Sequence, residues 1–221
     1  MKKLIDKVKK KLSELIQEDD KSSKEKKIVI IDTDSFDPGE PPKEPDLRTI
    51  GLFGDVSEEK VAELIQGLLY LNEINILEKE EDKKRAIEFY VSTYGGNADD
   101  MFALYDVMNY VKKETDIQTI GLGKVMSAGV LILAAGTQGQ RKIGQNCRVM
   151  IHNVMGGTAG SLPNLANELS AIEQLQEDYV NALVDNTKMT KKQLRKMLNE
   201  KVNVYLSAEE ALELGIADII V

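Results

Sequence analysis

From residue 47 to the end of the chain, short apolar runs alternate with stretches of helical period, and this alternation constrains the fold more than any other feature. Residues 48–53 read as a strand, 58–72 as a helix capped from within 55–57, and 86–92 as a strand running into Tyr94-Gly95-Gly96. The pattern continues with a helix over 99–113, a strand over 117–122, an apolar helix from Ser127 or Ala128 to Ala135, and strands over 140–143 and 148–151. A long helix over 163–186, a shorter one over 191–199 and a closing helix and strand within 208–221 complete it. Parallel strands cannot be joined by a tight turn and need a crossover, usually a helix. Repeated strand–helix units therefore predict an α/β domain with mainly parallel pairing and right-handed crossovers.

The first 46 residues are of another kind. Leu4, Ile5, Val8, Leu12, Leu15 and Ile16 recur at helical spacing among lysines, predicting a short amphipathic helix. Residues 21–27 are polar, and 34–46 carry Pro38, Pro41, Pro42 and Pro45 in an acidic context, which predicts an extended connector. The expected organisation is thus an N-terminal helix and acidic proline-rich linker over 1–46, and one globular domain over 47–221. Asp32, Asp34 and Asp37 suggest a calcium loop only superficially, because the glycine and terminal glutamate of that motif are missing from their offsets.

Composition removes whole classes of function. A net charge of -8 argues against a nucleic-acid partner, since phosphate binding needs a lysine and arginine surface. No apolar run approaches the roughly 18 residues of a membrane span. One cysteine, Cys147, cannot form an internal disulfide, and the N-terminus lacks the features of a secretory signal; a reducing, cytoplasmic setting is expected. With one cysteine and one histidine, a zinc site of the usual nitrogen and sulfur kind is not expected, and no metal is assigned.

Amide hydrolysis requires a nucleophile, a base to take its proton, and donors for the oxyanion. Ser127, in Gly123-Lys-Val-Met-Ser-Ala-Gly129, falls between a strand and an apolar helix, where unpaired N–H groups favour developing negative charge. Taken alone it equally fits an ordinary helix N-cap. Val125 in place of the first glycine departs from the nucleophile elbow of the α/β-hydrolases. His152 ends an apolar strand and precedes Gly156-Gly157; it can act as a general base or simply satisfy a loop carbonyl. Gly95-Gly96 can bring a backbone N–H close to a substrate or form a plain strand-to-helix turn. The segment lacks the lysine of a P-loop and the spacing of a dinucleotide fingerprint.

Together these segments resemble the ClpP family of serine peptidases. Ser92-Thr-Tyr-Gly-Gly-Asn97 is similar to the family's Ser-Pro-Gly-Gly turn, 123–129 to its nucleophile segment, Arg148-Val-Met-Ile-His152 to its histidine segment, and 205–218 to its closing motif. The resemblance spans 47–221. It implies a ClpP/crotonase-like spiral of strand–helix repeats with a protruding handle helix. It also implies Ser127 as nucleophile, His152 as base, and the N–H groups of Gly96 and Ala128 as oxyanion donors. Gly95 and the stretch from Gly156 and Gly157 to Gly160 would bind an extended polypeptide by strand addition. The implied assembly is a homo-oligomer of stacked heptameric rings, a tetradecamer. An AAA+ unfoldase of ClpX or ClpA type would feed it, using the ATP that this chain itself does not need; no other cofactor is expected.

Two departures stand out. Where the family has an aspartate four residues before the serine of Leu-Ser-Ala, this chain has Asn203, giving a Ser-His-Asn arrangement. Asparagine can orient an imidazole through its carbonyl oxygen but carries no charge to stabilise imidazolium. Tyr94 replaces the usual proline. Hence a second reading, a weak or inactive ring or scaffold subunit, stands beside the active enzyme. A third is a crotonase-like acyl-CoA enzyme, for which the expected acid and base carboxylates are not evident.

Overall fold

The computed structural model describes residues 47–200 and 202–221; the N-terminal helix and linker expected over 1–46 lie outside the described residues. Along this part run β1 (Thr49–Phe53), α1 (Glu58–Leu77), β2 (Ile87–Thr93), α2 (Ala98–Val111), β3 (Ile117–Met126) and α3 (Ala128–Ala134). They are followed by β4 (Lys142–Ile143), β5 (Arg148–Ile151), α4 (Leu162–Asn186), α5 (Lys191–Glu200), β6 (Val204–Leu206), α6 (Ala208–Glu213) and β7 (Ile219–Ile220). The fold is mixed α/β, and its sheet is dominated by parallel pairs.

Five strands run in the order β1-β2-β3-β4-β7, all parallel. The expected alternation of strands and helices thus exists, with differences that position the site. The helix expected over 58–72 runs on to Leu77. The asparagines that seem to end it, Asn72 and Asn75, are buried and bonded: Asn75 Nδ2 donates to the Arg85 carbonyl at 2.9 Å and to Thr115 Oγ1 at 3.1 Å, and Thr115 Oγ1 donates to Asn72 Oδ1 at 2.8 Å. Tertiary partners satisfy polar groups that would otherwise make burial costly.

The strand expected to stop at residue 122 continues to Met126 through a bulge. Val91 pairs with Gly121 but Thr93 with Val125, so β3 carries two extra residues there, and Gly123 takes the left-handed φ of 66° at the break. Before the bulge β3 pairs with β4; beyond it, Lys124–Met126 pairs with β5. The same strand therefore changes neighbour within one sheet, from β4 to β5, and ends at Met126, just before Ser127.

On its far side β5 pairs antiparallel with β6, a strand absent from the expectation. Its three residues are too few for a periodicity signal.

The core lies between α1, α2 and α3 and the sheet. All seven residues of α3, Ala-Gly-Val-Leu-Ile-Leu-Ala, are buried, which is what an all-apolar helix requires. At Gly129 a methyl group would stand 2.4 Å from Thr93 Cγ2, so glycine lets α3 approach β2. By contrast the buried residues of α4 (Tyr179, Val180, Ala182, Leu183) sit near its C-terminal end, and Leu162 and Leu169 are exposed. The closing segment is fastened by Arg141, whose guanidinium donates to Asp218 from Nε at 2.8 Å and Nη2 at 2.6 Å and to the Ala134 carbonyl at 3.1 Å. Among the described residues no helix is long and apolar enough to cross a membrane.

Candidate active site

The site grows out of the ends of three neighbouring strands. β3 delivers Ser127, β5 delivers His152, and β6 is preceded by Asn203. The Ser127 N–H donates to the Met150 carbonyl at 2.8 Å, continuing the parallel pairing of β3 with β5 by one step. In the antiparallel pair, Val149 faces Leu206, Met150 faces Tyr205 and Ile151 faces Val204. His152 and Asn203 follow immediately beyond the last of these pairs, where the ladder ends.

Ser127 stands at the N-cap position of α3 but does not cap it: its side chain makes no capping bond. Its backbone is at φ 54° and ψ −123°, the one non-glycine with positive φ among the described residues. A conformation of this kind costs on the order of 1–3 kcal/mol and persists only where its surroundings over-determine it. Three hydrogen bonds do so here. Besides the bond to Met150, the Ser127 carbonyl accepts from the Val130 N–H at 2.9 Å and from the Tyr179 hydroxyl at 3.1 Å.

The diglycine turn lies against this serine. At Gly95 (φ 107°) a methyl group would stand 2.6 Å from Ser127 Cβ. Its own N–H donates to Thr93 Oγ1 at 2.9 Å and its carbonyl accepts from the Val56 N–H at 2.8 Å. At Gly96 (φ 154°) a methyl group would lie 2.2 Å from the Val56 carbonyl oxygen, which accepts from the Asn97 N–H at 2.9 Å. Asn97 then caps α2, its side-chain oxygen accepting from the N–H groups of Asp99 and Asp100 at 2.8 and 3.0 Å. So Gly96 is pinned between the loop after β1 and the start of α2. The N–H groups of Gly96 and Ala128 have no acceptor among the described residues.

Ser127, Ala128, Gly96, His152 and Tyr179 line one cavity of about 400 Å³, whose apolar wall includes Met101, Ile172 and Leu175. His152 and Asn203 line a neighbouring one of about 420 Å³ that runs under the end of α5. The His152 ring makes no hydrogen bond to either partner among the described residues. The fold thus places His152 in the lining of both cavities, one shared with Ser127 and the other with Asn203.

Beyond His152 the chain is tied on both sides. Asn153 Nδ2 donates to the Leu198 carbonyl at 3.2 Å, and the Val154 N–H donates to Gln176 Oε1 at 2.7 Å. Residues 155–160 then run exposed without regular secondary structure, and their backbone groups have no hydrogen-bond partner among the described residues. A methyl group at Gly156 would meet Ile172 Cδ1 at 2.5 Å, so this glycine lets the segment lie along α4, whereas Gly157 is open. Tyr94 is exposed at the cavity mouth, with the Lys124 ammonium 4.7 Å from its ring centre.

Sequence reasoning missed Tyr179 and Gln176, which reach the site from α4. Nothing local marks them: a tyrosine and a glutamine in a long polar helix look like surface residues until the helix is folded back over the strand ends.

A parallel-dominated α/β sheet whose strand ends gather a hydroxyl, an imidazole and free backbone donors at one cavity is a framework for acyl-transfer chemistry. Comparison with known proteins makes the assignment specific. The family model "Clp protease" matches residues 45–221, and the chain belongs to that family of peptidases. The ATP-dependent Clp protease proteolytic subunit 1 of Corynebacterium glutamicum is 34% identical over 172 residues, 77% of this chain and 77% of the relative.

Proposed function

We propose that this chain is a serine endopeptidase subunit of a self-compartmentalising protease, acting on unfolded polypeptide. One observation carries the reading: Ser127, Ala128, Gly96 and His152 line one cavity, with Ser127 held at positive φ in a conformation that no capping role explains.

In this mechanism His152 takes the proton of Ser127 Oγ as the oxygen attacks the scissile carbonyl carbon. The carbonyl oxygen becomes an oxyanion, which the N–H groups of Gly96 and Ala128 stabilise because both donors are fixed before reaction begins. Collapse breaks the C–N bond, and His152 gives its proton to the leaving amine. Water, deprotonated by His152, then cleaves the acyl ester on Ser127 and restores the enzyme. Asn203 holds the imidazole through its amide oxygen. The unpaired backbone of 155–160, with Gly156 and Gly157, would take an extended substrate as an added strand, which favours main-chain contacts over side-chain selectivity.

The remainder of the proposal is assembly. Stacked rings of seven, joined through the projecting part of α4 as a handle, would enclose the sites in the cytoplasm, and an AAA+ unfoldase of ClpX or ClpA type would supply substrate and consume ATP. The relative's description as ATP-dependent and as a proteolytic subunit supports this division of labour.

Replacing Ser127 with alanine is expected to abolish both cleavage of an unfolded peptide and labelling by a fluorophosphonate; retention of either overturns the proposal. Asn203 favours a second reading, an inactive ring subunit. An Asn203→Asp variant that forms rings yet stays inert would support it.

A further inference from the structure

Tyr179 reaches the active-site cavity from the buried end of α4, and its hydroxyl donates to the carbonyl oxygen of Ser127 at 3.1 Å. That oxygen is one end of the peptide unit joining Ser127 to Ala128; the Ala128 N–H is the other. No peptide bond is cis among the described residues, so the two groups point in opposite directions along one rigid plane. Fixing the oxygen therefore aims the hydrogen.

The need for such a fixture is specific to this position. Ser127 has positive φ without being glycine, a geometry that relaxes unless several contacts hold it. Its N–H bond to Met150 fixes the plane before it, while Val130 and Tyr179 fix the plane after it. Val130 is part of α3 and moves with it. Among the described residues Tyr179 alone ties the plane to a different element by a hydrogen bond. An amide whose oxygen accepts a hydrogen bond is also polarised, which strengthens its N–H as a donor.

We infer that Tyr179 is a positioning residue for the oxyanion donor: its hydroxyl, acting through the Ser127–Ala128 peptide, sets the direction and polarity of the Ala128 N–H. This rests on the reading of Ser127 as nucleophile. Complete burial pushes the phenol well above its usual range, so it remains a donor at every working pH. Tyr179→Phe should accordingly lower the pH–rate profile without moving its limbs.

The test uses the full chain with a fluorogenic peptide. In Tyr179→Phe, which keeps the ring against the cavity wall, kcat is expected to fall on the order of five- to tenfold, the worth of about one hydrogen bond, with KM changing by less than about twofold. Affinity for a peptide boronate, whose tetrahedral adduct on serine places an oxygen at the Ala128 N–H, should fall by the same factor, while affinity for an uncleaved peptide stays the same. Incorporating 3,5-difluorotyrosine at position 179 keeps the shape and strengthens the donor, and should tighten boronate binding. Unchanged kcat and boronate affinity in Tyr179→Phe overturn the inference. So does unchanged or weakened boronate binding with the fluorinated residue, which decides the matter alone if the phenylalanine variant does not fold. A wild-type chain that neither cleaves peptide nor takes a fluorophosphonate overturns the serine reading and the inference with it; an active wild type indifferent to position 179 overturns only the inference.

Discussion

His152 and Asn203, the first residues past the last bonded pair of β5 and β6, line one cavity. The fold thus brings to one cavity two residues that stand 51 positions apart in sequence. An amide at this point can orient the ring but cannot offset its positive charge. Replacing Asn203 with aspartate is expected to raise kcat/KM at least about tenfold, because the reverse change in a related triad costs about 10⁴. Peptide hydrolysis measured across pH checks it, and no gain would remove the imidazolium argument.

Gly95 permits the approach of the diglycine turn to Ser127. Gly95→Ala puts a methyl group 2.6 Å from Ser127 Cβ on a backbone with φ 107°, so one of the two must move. The expected result is a loss of on the order of 100-fold or more in fluorophosphonate labelling, since small displacements of reacting groups are costly. Destabilisation of about 1–3 kcal/mol should accompany it. Labelling kinetics and denaturant unfolding separate the two effects.

The Arg141–Asp218 pair predicts an acid dependence of stability. Desolvation alone would raise the Asp218 carboxyl, but the hydrogen bonds and charge of Arg141, with the Gly139 N–H, outweigh it and hold the group below the usual carboxylate range. A depressed folded-state value contributes stability that is complete above the unfolded carboxylate pKa and disappears as pH falls through the folded one. Asp218→Asn leaves a buried guanidinium without its counter-charge and should cost about 3 kcal/mol near neutral pH. In urea titrations the gap between variant and wild type should close towards pH 3; a gap independent of pH would refute the electrostatic account.

Cys147 is buried, and burial pushes its thiol up to about 11. Thiolate is the reactive species, so the folded protein should resist iodoacetamide at pH 8 and become reactive only on unfolding. Mass spectrometry of native and urea-treated samples reads this directly. Rapid alkylation of the native chain would contradict it.

Where elements are long and strongly patterned, their placement was legible in the residues: α1, α2, α3 and α4 each begin within a residue of expectation, because caps and apolar periodicity are local signals. What local pattern could not show was anything decided by distant partners. The run of α1 past Asn72 depends on Thr115, and the extension of β3 depends on a bulge that passes the strand from β4 to β5. β6 is three residues long and exists because β5 is beside it.

The same division holds for the site. The chain by itself determined which groups are available, since it has one histidine, one serine at the head of an all-apolar helix and the Gly95-Gly96 diglycine at the end of a strand. Only the tertiary structure decided that the serine does not cap its helix, that Asn203 shares a cavity with His152, and that a tyrosine from α4 holds the Ser127 carbonyl. The physical reason is that identity and local conformation are carried by neighbours in sequence, whereas register and hydrogen-bond partnership are set by strands and helices brought together across the whole domain.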